Sequence, residues 1–108
     1  MKILLDEGVP KIIQKRLPDL LISTVEEMGW RAVENGALLD LMAKEFAVLI
    51  TTDKNIAHQQ NLKKRGISAI LLPTNRIPLV IELLPEIEQA IATIREGEIR
   101  LISSPRQK

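Results

Sequence analysis

Apolar and polar residues alternate along this chain in two rhythms. Short unbroken apolar runs occur at Ile3-Leu4-Leu5, Leu20-Leu21-Ile22, Ala47-Val48-Leu49-Ile50 and Ala69-Ile70-Leu71-Leu72. Runs this short and this rich in branched residues read as strands buried on both faces. The strands expected are 2–6, 20–25, 47–52, 68–72 and a weaker fifth at 98–103. Between them, apolar residues return every three or four positions, which is the helical period. Val9, Ile12, Ile13 and Leu17 share one such face after Pro10, whose missing N–H is harmless in a first turn. Pro18-Asp19 breaks that helix, and a short helical turn is expected at 26–30, ending at Gly29. Leu38, Leu39, Met42 and Phe46 share the next face, in a helix opening near Asn35-Gly36 with Asn35 as a suitable N-cap.

Residues 55–65 read as an odd helix, because Ile56, Ala57 and Leu62 form no stripe; Gly66 should stop it. The strongest amphipathic signal is Ile77, Val80, Ile81, Leu84, Ile87, Ile91 and Ile94. Pro85 falls inside that helix and is expected to kink or split it, and Gly97 to end it. Strands alternating with helices argue for an α/β fold with a central, mainly parallel five-stranded sheet in three layers. In the strand order 2-1-3-4-5, strands 1 and 3 are neighbours at the switch point, where ligands bind beyond the carboxyl ends. Asp6 and Asp53 each stand at such an end, so this order puts them in one crevice.

With 108 residues the chain is long enough for one domain, read as 1–103, with a polar tail at 104–108. The sequence has no Cys, which excludes disulfides and thiolate metal sites. No leader-like apolar segment follows Met1, and no run is long enough to span a bilayer, so a cytoplasmic protein is expected. A net charge of +1 announces no strong attraction to nucleic acid, and one Trp, one Phe and no Tyr leave little for base stacking. GxxxxGK[ST], GxGxxG and GxSxG are all missing, so nucleotide-binding and hydrolase-elbow readings lack support.

Two neighbouring carboxylates repel unless something compensates them. Mg²⁺ or Mn²⁺ does so with one or two carboxylates and several waters. Asp6 and Asp53 are therefore candidate metal ligands and catalytic residues. Taken singly, either has a plain structural role, Asp53 as a helix cap and Asp6 as a turn residue. Glu7 joins only if strand 1 has already ended, since alternate residues face opposite ways. Glu34 and Asn35 are further candidates, with capping the simpler role for Asn35. Asp40 should face solvent. His58, the sole histidine, could shuttle a proton near a metal-bound water, although a lone surface histidine is usually inert. Lys54, Asn55, Gln59, Gln60, Lys63, Lys64 and Arg65 are candidate RNA contacts, weighed against a merely solvated helix face. Trp30 reads as core or subunit interface.

Four phrases in order carry a resemblance: Leu5-Asp6-Glu7-Gly8-Val9-Pro10, then Gly29-Trp30 with Asn35-Gly36-Ala37-Leu38-Leu39, then Leu49-Ile50-Thr51-Thr52-Asp53-Lys54-Asn55, then Gln59-Gln60-Asn61-Leu62. They resemble the small PIN-like domain family, a domain of unknown function related to VapC-type toxins. The resemblance implies a PIN-like α/β fold and Mg²⁺- or Mn²⁺-dependent cleavage of RNA. It also implies a role as the toxin of a toxin–antitoxin pair, an antitoxin-like partner, and homodimerisation. PIN nucleases usually gather three or four acids. This chain matches at Asp6 and Asp53, whereas the position of a further acid falls at Glu34 or Asn35 and Asn55 occupies a place for a fourth. A non-catalytic interaction module with an incomplete acidic site is thus the alternative. A receiver domain ranks lower, because no Lys follows the fifth strand at Ile102-Ser103-Ser104-Pro105.

Overall fold

The computed structural model describes residues 1–58 and 61–103. Five strands, β1 (Lys2–Leu5), β2 (Leu21–Thr24), β3 (Val48–Thr51), β4 (Ser68–Leu71) and β5 (Ile99–Leu101), form one sheet. Their order is β2-β1-β3-β4-β5 and every pairing is parallel. This is the expected three-layer α/β arrangement, and β1 and β3 are hydrogen-bonded neighbours. The helices are α1 (Ile12–Arg16), α2 (Val25–Met28), α3 (Asn35–Met42), α4 (Leu62–Arg65) and α5 (Ile77–Thr93).

Alternation along the central strands builds two cores. Ile3, Leu5, Val48, Ile50 and Ile70 face one way and pack with Ile13 of α1 and Val80, Leu83, Ile87 and Ile91 of α5. Leu4, Leu49 and Ala69 face the other way and pack with Val25, Leu38, Leu39, Met42 and Leu62. The unbroken apolar runs follow from this, because each central strand must be apolar on both sides. Phe46 closes the second core, with Trp30 edge-on to it at 6.1 Å between ring centroids. Trp30 thus flanks the core, half-buried.

Two expected elements differ. Residues 55–65 are not one helix. A 3₁₀ turn occupies Lys54–His58, Asn61 sits in the left-handed region at φ 71, and α4 has only four residues. The missing apolar stripe is the physical reason, since among the described side chains of this segment only Ile56 and Leu62 are buried in the core. Gln59, Gln60 and the tail 104–108 lie outside the described residues, as does the His58 side chain. Second, Pro85 does not split α5, which runs through it for 17 residues. Pro85 is on the exposed face, so the Ile81 carbonyl it leaves unpaired can turn to water. The helix stops at Thr93, earlier than Gly97, because Ile94 is already extended. Among the described residues no helix is long and apolar enough to cross a membrane.

Candidate metal centre at the carboxyl edge of the sheet

Parallel pairing brings the carboxyl ends of β1 and β3 to one edge. The Asp6 amide donates to the Ile50 carbonyl at 2.9 Å, which carries the ladder one step beyond β1. Asp6 and Thr51 continue the alternation of Leu4 and Leu49, so both aim toward the α3 side of the sheet. There the Thr51 hydroxyl donates to Asp6 Oδ2 at 2.7 Å and accepts the Asp53 amide at 3.0 Å. One buried side chain thereby ties the two acids together. Asp6 Oδ1 also accepts the Glu7 amide at 2.8 Å.

Asp53 is fixed from two further sides. The Asn35 side-chain amide, on α3, donates to Asp53 Oδ2 at 3.0 Å. The Asn55 backbone amide donates to Asp53 Oδ1 at 2.9 Å, starting the 3₁₀ turn that Ile56 anchors in the core. Asn35 therefore does not cap α3. Glu34 takes the N-cap position, without a side-chain capping bond, and Asn35 is the first helical residue. The expected cap is a side chain reaching into the crevice instead.

Burial pushes the Asp6 carboxyl above its ordinary range. Hydrogen bonds from Thr51 and Glu7 pull it back in part, and the charges of Asp53 and Glu7 push it up again. Asp6 thus feels the charge of Asp53 across the crevice. Each carboxylate oxygen of the pair accepts one protein donor in these bonds. An ionised carboxylate offers about four lone-pair sites, so acceptor capacity remains on both. That donor set fits a hard cation held by two carboxylates and water. It does not fit a closed protein cage: among the described residues no group of three or more His, Asp or Glu could hold a metal.

The remaining candidates spread out. Glu7 turns to the loop before α3, where its Oε1 accepts the Ala32 amide at 3.0 Å and its Oε2 lies 3.9 Å from Arg31 Nε. Ala32 has φ 65, unusual for a residue with a side chain, and the Glu7 bond helps hold that loop. Glu34 is exposed. Lys54 and Asn55 follow Asp53 directly and are exposed at the same edge. Lys63, Lys64 and Arg65 are not there. They end α4 immediately before β4, and Ser68 pairs with Val48, so they stand at the amino edge of the parallel sheet. Arg65 Nε is 2.8 Å from Asp40 Oδ1, so Asp40, although exposed, is also half of an ion pair. Thr51 was the residue missed in the sequence. Its signal was a hydroxyl in an otherwise apolar buried strand, two positions before the second acid. No family model, curated protein or solved structure matches this chain.

Proposed function

We propose that this protein is a Mg²⁺- or Mn²⁺-dependent ribonuclease of PIN-like type, acting in the cytoplasm on RNA phosphodiester bonds. The observation that carries the reading is the convergence of Asp6 and Asp53 on one edge, joined by the Thr51 hydroxyl. The resemblance of the four sequence phrases supplies the reaction class. Asp6 and Asp53 would hold the cation, which when bound lowers the pKa of a water and offsets charge on phosphate oxygens. Thr51 orients Asp6, and the Asn35 amide orients Asp53. Lys54, exposed beside Asp53, is available to a backbone phosphate.

One observation favours a second reading. The side-chain partner of Asp53 is an amide, and Asn55 stands where the resemblance implies another acid, which suits a non-catalytic PIN-like module that binds an antitoxin-like protein. Calorimetric titration with Mn²⁺ separates the two. Binding that Asp6→Asn and Asp53→Asn both abolish, followed by RNA cleavage lost in the same variants, supports the nuclease. Wild-type protein that binds no Mn²⁺, with or without RNA, rejects it in favour of the module.

A further inference from the structure

Beside Asp6 a cleft of about 220 Å³ opens between the ends of β1 and β2. Its lining carries three carboxylates, Asp6, Glu7 and Glu26, and two cations, Lys11 and Arg31. Lys11 Nζ lies 3.0 Å from Glu26 Oε1, with both side chains 55% exposed. Arg31 Nε lies at 3.9 Å from Glu7 Oε2, a long contact between side chains 66% and 51% exposed. Exposed pairs of this kind contribute little to stability. Exchanging either carboxylate for another anion therefore costs little.

We propose that this cleft receives one backbone phosphate of the RNA, held by Lys11 and Arg31. The inference rests on the reading of Asp6 and Asp53 as a cation site and gives that site its substrate entry. Charge carries it further. Counted with Asp53, the other acid of the cation site, the four carboxylates exceed the two cations by two charges, which disfavours an anion. A divalent cation held by Asp6 and Asp53 would cancel that excess. Anion and cation occupancy are then coupled, and the coupling is reciprocal. Size agrees, because the cleft lies below the range of roughly 300–1,000 Å³ usual for whole small-molecule sites. It suits a phosphate rather than a nucleobase, and no aromatic side chain lines it for stacking. The alternative basic cluster at 63–65 lies at the opposite edge, about 13 Å away along a four-residue strand. The strand therefore enters over β2, on the Lys11 and Arg31 side.

The test uses a fluorescent single-stranded 2′-O-methyl RNA hexamer, checked intact on a denaturing gel after each titration, because attack by a metal-activated water does not need the 2′-hydroxyl. Anisotropy titrations are run with and without Mn²⁺, and Mn²⁺ affinity is measured separately by calorimetry. The expected result is tighter binding of the hexamer in Mn²⁺. Lys11→Ala with Arg31→Ala should weaken it about tenfold or more, and Lys63→Ala with Lys64→Ala should weaken it far less. If Mn²⁺ binds but the hexamer does not, or binds equally well to the Lys11/Arg31 double variant, the phosphate cleft is overturned and the cation site stands. The same holds if the Lys63/Lys64 double variant suffers the larger loss. If Mn²⁺ does not bind at all, the cation site falls and the cleft proposal falls with it.

Discussion

Thr51 Oγ1 stands between Asp6 Oδ2 and the Asp53 amide, at 2.7 Å and 3.0 Å, and is completely buried. Thr51→Val keeps the shape and removes both bonds. It leaves a partly buried carboxylate and a backbone amide each short of a partner, which costs about 1–3 kcal/mol. Urea unfolding should show that loss, and Mn²⁺ affinity should fall with it. Thr51→Ser, which retains the hydroxyl, should keep the metal affinity. A Val variant as stable as wild type would mean that water replaces the hydroxyl and that the bridge is incidental.

The raised Asp6 pKa has a consequence for stability without metal. Burial is its main cause, so the folded state holds the Asp6 proton more tightly than the unfolded state. Stability therefore falls as pH rises from the ordinary carboxylate value through the raised one, and the penalty is full above it. Asp6→Asn removes that penalty. In metal-free buffer its melting temperature should exceed that of wild type at neutral pH, and the gap should narrow as acid is added. Mn²⁺ competes with the same proton, so its affinity for wild type should rise with pH through that window. A gap that widens on acidification would show that the Thr51 and Glu7 hydrogen bonds outweigh desolvation.

Asn35 donates to Asp53 where a third carboxylate would repel it. Asn35→Asp replaces an attractive contact by two like charges at hydrogen-bond distance. The metal-free protein should lose about 1–3 kcal/mol, and Mn²⁺ should bind more tightly and recover part of that stability. Asn35→Ala should lose stability with no gain in Mn²⁺ affinity. Calorimetry and thermal melts on the two variants read both effects. Equal Mn²⁺ affinities in the Asp and Ala variants would place residue 35 outside the coordination sphere.

The strands were legible because they depend on burial over long stretches, and the Asp pair followed from them once the order common to such sheets was assumed. Apolar runs such as Val48-Leu49-Ile50 are explained only by a strand covered on both faces. The amphipathic stripe of α5 was equally plain. The failures lie where local signals carry little energy. Asn35 looked like a cap because it precedes a helix, yet the cap position fell to Glu34 and the amide went to Asp53. The positive φ of Asn61 and the turn at Lys54–His58 depend on where Ile56 and Leu62 are received, which no local pattern encodes. Lys63 and Lys64 looked close to Asp53 because they are close in sequence. A crossover returns the chain to the amino edge, so they end a strand's length away.

Pro85 gives a prediction about the fold alone. It lies in α5 on the exposed side, between the buried Leu83 and Ile87, and offers no N–H to the Ile81 carbonyl. In a helix interior proline is about 3 kcal/mol less favourable than alanine. Against this, it restricts the unfolded chain by about 0.4–1 kcal/mol. Pro85→Ala should therefore stabilise the protein by about 2 kcal/mol, which for a domain of this size raises the melting temperature on the order of 10 °C. Leu83 and Ile87 face the core on either side of the proline, so any bend there is also part of how α5 fits the sheet. If the alanine variant melts at the wild-type temperature or below, straightening the helix has cost packing at those two residues. Restoring the N–H would then be worth less than the curvature that proline provides.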